Sequence, residues 1–350
     1  MHEIGRLAAL ARQLPPDLSE VLSVADPAEL RVRLDLSPAG RALLAEVEAF
    51  MDRFGFLSSN GSDFTAGSWA ENPTLIWRTV ARAAASADAA SPEAAVAARE
   101  AARRRVRAQL APIPRLVFDR LLASVAAAID LRESVSLMIS EYSYQMRRIF
   151  LVVAQRLVMQ GDLVDREDLF YLTYDEMKAL ADGHLSREEA GARIAARRTE
   201  IEADALISPP SVISGDPHLA CRVAQSEPAV GSYLSGIAAS SGTVHGRARI
   251  VKDPIEAPAA LTREDILIVP YSDVGWTPLF SSIGGIVAET GGQLSHAAIV
   301  AREYGLPAVV GVKDATRLIQ DGQRVSVDGN RGRVHLEAQS VGDGGDLWNQ

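Results

Sequence analysis

The sequence predicts an α+β protein: an all-helical N-terminal region, a linker, and a smaller mixed α/β domain. Three observations carry this reading. Up to about residue 205, apolar residues recur at helical spacing between Ser-Pro openings and glycine stops. Between Ser208 and Gly231, "SPPSVISGDP" followed by Pro228 and Gly231 suits neither a long helix nor a central strand. After Gly231 the chain turns to short alternating or wholly apolar stretches that read as strands. The expected boundaries are 1–207 for the helical region, 208–230 for the linker, 231–338 for the α/β domain and 339–350 for a tail.

Each element has its own signal. "SPAGRALLAEVEAFMDRFG" offers Ser37 as N-cap, Pro38 at the first helical position and Gly55 as the stop. Leu43, Leu44, Val47, Phe50, Met51 and Phe54 give that helix one apolar face. Ser91 and Pro92 repeat the opening, and a long helical pattern runs from Leu131 to Gln160, stopping at Gly161. "GDLVDREDLFYLTYDEMKAL" reads as a turn, a short aromatic stretch and another helix. The linker of about 23 residues could span at most roughly 75 Å if fully extended. Beyond it, "GTVHGRARIV" alternates, while "DILIVP", "GGIVAE" and "PAVVGV" read as buried strands. His296 to Tyr304 reads as a short helix closed by Gly305 and Pro307, and "QRVSVDGNRGRVHL" as a hairpin turning through Asp328 to Gly332.

Composition narrows the function classes. A formal net charge of −9 argues against nucleic acid or an anionic membrane as the main partner. The α/β domain holds ten basic and eleven acidic side chains, so most of the net charge lies elsewhere. Cys221 is the only cysteine, so no intramolecular disulfide or thiolate metal cluster is expected. His2, His184, His218, His245 and His335 have no metal-ligand spacing among them, so no metal site is expected. The N-terminus lacks a basic start followed by an apolar stretch, and no apolar run approaches the length of a membrane span. A cytoplasmic protein is expected.

The chemistry centres on "ETGGQLSHAAIVAREYGLPAVVG", Glu289 to Gly311. A strand, a glycine-rich turn and a helix start form an anion-binding arrangement, because first-turn N–H groups lack intrahelical partners and the helix is positive at that end. Gly291 and Gly292 let backbone approach a ligand, and Ser295 can cap the helix or donate its hydroxyl. The positive end disfavours a charged imidazolium at His296, leaving a nucleophilic ring, and favours negative charge once a phosphoryl group is attached. On these residues alone, His296 stands as a cap, part of an anion site or a phosphoryl acceptor.

The stretch "GGQLSHAAIVAREYGLPAVVGV" resembles the phosphohistidine signature of the PEP-utilizing enzyme family, in its swivelling mobile domain. The likeness runs through "GIAASSGTVHGRARIV", "DILIVPYSDVGWTPLF", "GGIVAETGG" and "DGQRVSVDGNRGRVHL", all in family order. It implies a swivelling β/β/α fold, with His296 taking phosphate from ATP and passing it on. Gly291, Gly292, Ser295 and Arg302 would lie around the phosphoryl group, Arg302 only by folding back or else in an ion pair, and Glu303 would be structural. Many members have threonine two residues before the histidine, where this chain has Leu294. "FMDRFG", "GSWAENP", the "LRES" of Leu131 to Ser134 and "DREDLFYLT" resemble landmarks of the helical acceptor-binding region in rifampicin phosphotransferase-like proteins. Trp69, Trp77, Tyr142 and Tyr144 are there read as core or as pocket lining.

Family members join the mobile domain to an ATP-grasp domain, and the PEP synthase type adds a barrel for pyruvate and PEP. Neither is expected here, and no P-loop or dinucleotide fingerprint occurs. With only Lys178, Lys252 and Lys313, no internal ATP site is expected. The resemblance therefore implies a split dikinase-type phosphotransferase, organised like phenylphosphate synthase. A separate ATP-grasp subunit would bring ATP and Mg²⁺, and a small organic hydroxyl compound would be the acceptor. A phosphocarrier serving another protein, and a non-catalytic scaffold, are the alternatives.

Overall fold

The computed structural model describes residues 2–16, 18, 22, 26–85, 92–204, 233–258 and 261–337. The expected linker with Cys221, the Ser91 cap and the 339–350 tail lie outside the described residues. Two compact units emerge: one draws on Met1–Glu141 and Pro228–Gln350, the other on Tyr142–Glu227. A helical N-terminal region followed by a mixed sheet makes the chain α+β.

In the first unit the described helices ahead of residue 112 are His2–Ala11, Pro27–Asp35, Pro38–Phe54, Thr74–Ala85 and Pro92–Gln109. Ser37 caps its helix by accepting from the Gly40 N–H, and Pro38 fills the first position, where a missing N–H costs nothing. The long helix spans Pro112–Gln160, starting well before the expected Leu131. Pro112 and Pro114 occupy its first turn, where no intrahelical bond is lost, so the helix begins there. Trp69 and Trp77 are core residues packed among Leu7, Leu43, Phe50 and Ile76.

Among the described residues eight strands follow: β1 Tyr233–Ser235, β2 Ile237–Ser240, β3 Thr243–Ile250, β4 Asp265–Val269, β5 Gly285–Ala288, β6 Ala308–Val310, β7 Arg324–Asp328 and β8 Arg333–Leu336. They form one sheet in the order β1-β8-β7-β3-β4-β5-β6-β2. The centre, β3-β4-β5-β6, is parallel and wholly buried in β4 to β6, which are apolar apart from Asp265, as a sheet covered on both faces requires. Strand alternation assigns the faces. Leu267, Val269, Ile286, Ala288, Ala308 and Val310 join the N-terminal helices and the helix His296–Tyr304 in one core. Ile266, Ile268, Val287, Val309, Val325 and Val327 form the other core with Ala315 and Ile319. The expected hairpin is present, with Asp328 paired to Arg333 and Gly332 at φ 68° closing its turn.

The second unit is helical where described. A 3₁₀ turn at Arg166–Tyr171 and the helices Tyr174–Ala181 and Arg187–Asp204 pack Leu157, Leu163, Leu169, Leu180 and Ile194 into a small core. Capping boxes start the first two: Asp165 with Asp168, and Thr173 with Glu176. Tyr142 is exposed and Tyr144 half-buried, so these two tyrosines are not core residues. No described helix is long and apolar enough to cross a membrane.

Candidate functional site

The site is built where β5 ends. Glu289 donates its N–H to Val269 O, and its carboxylate accepts from Thr316 N and Oγ1 at 2.7 and 2.6 Å, fixing the exit of the strand. Gly291 then adopts φ 120°, and a Cβ there would stand 2.8 Å from Ser295 Oγ, so glycine is required on both counts. Gly292 has open space around it. Ser295 is the N-cap residue of the helix His296–Tyr304, but its hydroxyl does not cap; it donates to Gly292 O at 2.8 Å and tightens the turn. Gly305, left-handed at φ 64°, ends the helix.

His296 opens this helix and is 4% exposed. Its ring lies between two partners. Nδ1 is 3.3 Å from Glu133 Oε2, and Nε2 is 3.2 Å from Thr277 Oγ1. The Phe280 ring meets it edge-on, 6.4 Å between centroids. Glu133 Oε1 is paired with Arg132. The hydrogen bond from His296 holds the Glu133 carboxyl below its ordinary range, with Arg132 adding to the effect and partial burial opposing it. The carboxylate is therefore ionised and can only accept, which places a ring hydrogen on Nδ1. Thr277 donates its hydroxyl hydrogen to Val274 O at 2.7 Å, and the same oxygen lies against Nε2.

Arg302 does fold back, but onto main chain: Nη1 donates to Ala239 O at 2.6 Å and Nη2 to Gln293 O at 2.7 Å. It ties the glycine-rich turn to β2. Glu303 is exposed, 4.0 Å from Arg99. Leu294 is also exposed. Sequence reasoning missed Glu133 and Thr277. Glu133 lies in the "LRES" landmark and Thr277 in "VGWTPLF", yet neither stretch carries a local signature of contact with a histidine. Among the described residues no group of three or more His, Cys, Asp or Glu side chains is placed to hold a metal ion.

The chain is similar in sequence to known proteins. Residues 261–332 match the PEP-utilising enzyme mobile domain, and residues 1–133 match the rifampicin phosphotransferase fourth domain. A rifampicin phosphotransferase from Streptomyces sp is 34% identical over 311 residues, covering 85% of this chain and 35% of the relative. One from Bacillus subtilis (strain 168) is 37% identical over 199 residues, 57% of this chain and 22% of the relative. The prodigiosin synthesizing transferase PigC of Serratia marcescens is 38% identical over 204 residues, again 57% of this chain and 22% of the relative. The chain thus spans about a third or less of the length of these relatives. It belongs with the PEP-utilising enzymes, joining their mobile domain to a counterpart of the rifampicin phosphotransferase fourth domain.

Proposed function

We propose that the chain is the phosphohistidine-carrying part of a phosphotransferase, loading His296 from ATP and discharging it onto a small organic hydroxyl acceptor. The observation that carries this is the His296 ring, held at a helix start with Nδ1 on Glu133 and Nε2 turned to the Thr277 hydroxyl. The relatives named phosphotransferases support the reaction class.

Loading forms the Nε2–P bond to the β-phosphorus as its P–O bond to AMP breaks; water then cleaves the terminal P–O–P bond, and inorganic phosphate leaves with one phosphoryl group kept on the ring. In the arrangement described, a ring 4% exposed is closed to a phosphoryl donor, so loading takes place with the ring uncovered. ATP and Mg²⁺ are brought by a separate ATP-grasp subunit in the cytoplasm. Three lysines, none in a glycine-rich phosphate loop, make an ATP site within these residues a poor reading. Two half-reactions at separate sites require the histidine to travel, since each needs near in-line geometry.

Discharge uses the contact seen on Nδ1. Phosphoryl on Nε2 turns the ring into a good leaving group only while Nδ1 keeps its hydrogen, and the ionised Glu133 stabilises that positively charged form. The acceptor oxygen then takes phosphorus, the N–P bond breaks, the ring leaves neutral and the hydroxyl proton passes to water. Gly291, Gly292 and Ser295 shape the turn beside the phosphoryl group. Arg302 supports it from behind, through Gln293.

The test is labelling with β-³²P-ATP, with and without an ATP-grasp partner, comparing the natural chain with His296→Ala. Acid-labile, base-stable label that needs the partner and vanishes in the variant is expected. A natural chain that is folded yet unlabelled with every partner and metal tried would refute the reading in favour of a scaffold.

A further inference from the structure

The short turn Asp273–Thr277 makes two sets of contacts at once. Inward, Thr277 Oγ1 lies on His296 Nε2. Outward, three of its residues meet the loop Ser58–Gly61 from the helical region. Asp273 Oδ2 accepts from the Gly61 N–H at 2.8 Å, and its Oδ1 caps the turn by accepting from the Val274 N–H. Trp276, fully buried, donates its indole N–H to Ser59 O at 2.9 Å. Gly275 is pressed so closely that a Cβ there would stand 1.8 Å from Ser58 O. The same loop leans on the helix that carries Glu133. A Cβ on Gly61 would lie 2.0 Å from Ser140 Oγ, and Ser140 is two turns along from Glu133 on the same face. Loop, turn, imidazole and Glu133 helix therefore form a closed circuit of contacts around His296.

We propose that the turn Asp273–Thr277 is a positioning element, which seats Thr277 and Glu133 on the His296 ring only when the loop Ser58–Gly61 is docked against it. Gly275 is the key position. Its φ is not positive, so alanine suits the turn itself, and the only conflict is with main chain across the docked contact. The inference rests on the phosphohistidine reading for its consequence, not for its geometry. With the loop seated, His296 is held and covered; with the loop released, the ring is open to loading.

Gly275→Ala and the isosteric Asp273→Asn test this, because an amide in place of the carboxylate sets a donor against either Gly61 N–H or Val274 N–H. Two quantities are read on the intact chain: hydrogen exchange at the Gly61 amide, and the rate at which potassium phosphoramidate phosphorylates His296. In that reaction Nε2 takes the phosphoryl group and ammonia leaves. Gly275→Ala is expected to raise both by about tenfold or more, since overpacking against main chain biases the equilibrium by that much. Asp273→Asn should move both in the same direction by a smaller factor, and it decides the matter should Gly275→Ala lose its fold by circular dichroism. Unchanged Gly61 exchange in the folded variants overturns the inference. So does faster exchange with an unchanged labelling rate, which would separate docking from the ring. Faster exchange with no labelling of His296 in any protein, the natural chain included, leaves the docking element standing and sinks the phosphohistidine reading instead.

Discussion

Replacing Glu133 by glutamine isolates the charge on Nδ1 from the shape of the site. The glutamine carbonyl can still accept from Nδ1–H at 3.3 Å, but it no longer balances the positive ring of the phosphorylated state. A hydrogen bond to a charged group contributes about 1.5–3 kcal/mol. The lower end applies here, because the contact is long, Arg132 shares the carboxylate and the Glu133 side chain is 26% exposed. About 1.5 kcal/mol of lost stabilisation corresponds to roughly a tenfold slower discharge. The assay loads His296 chemically with phosphoramidate, removes the reagent and follows loss of label in the presence of a panel of phenols and alcohols. A phosphoprotein that persists about tenfold longer in Glu133→Gln, with loading unimpaired, is expected. Equal lifetimes in the two proteins would refute the role given to Glu133.

Other expectations follow from neighbouring contacts. Arg302→Ala leaves the buried Ala239 carbonyl without its donor and should lower the melting temperature by roughly 2–6 °C, for a loss of about 1–2 kcal/mol. A loss of phosphoryl transfer without any loss of stability would instead make Arg302 a phosphoryl ligand. Gly291→Ala forces a side chain into φ 120° and against Ser295; strain of about 1–3 kcal/mol should shift the helix start and slow loading, and an unchanged melt with normal loading would contradict this. In the second unit, hydrogen bonds from Arg197 first, then from Thr173 and Arg193, hold the Glu176 carboxyl well below its usual range. A lowered folded-state value gives stability that is present above the unfolded value of 4.5 and lost as pH falls towards the folded one. The stability gap between the natural chain and Glu176→Gln should therefore narrow on acidification below about pH 4.5; a gap independent of pH would contradict it.

Much of the fold could be read because its signals are local. The apolar runs of β4, β5 and β6, the alternation of β3 and the hairpin at Asp328–Gly332 are periodicities within a few residues. His296 was legible for the same reason, since a glycine pair, a serine and a helix stop lie within one short stretch. Glu133 was not, because 163 residues separate it from His296 and a glutamate on a helix has many ordinary roles. Thr277 likewise looks like a threonine opening a short helix, and nothing in its neighbours announces an imidazole. The helix start at Pro112 was hidden by its composition. Ile113, Leu116, Val117 and Leu121 leave that stretch without a clean polar face, so the periodicity needed to extend the helix back from Leu131 is weak. The helix Arg187–Asp204 did carry a signal that went unread: Ser186 and Glu189 hydrogen-bond each other's main-chain N–H as a capping box.

The central claim is that Nε2 of His296 bears the phosphoryl group while Nδ1 keeps its hydrogen for Glu133. Phosphorus and nitrogen NMR of the loaded, ¹⁵N-histidine-labelled chain reads this directly. The account predicts a single phosphohistidine coupled through Nε2 and absent from His296→Ala. A phosphoryl group on Nδ1, or on any other residue, would contradict it.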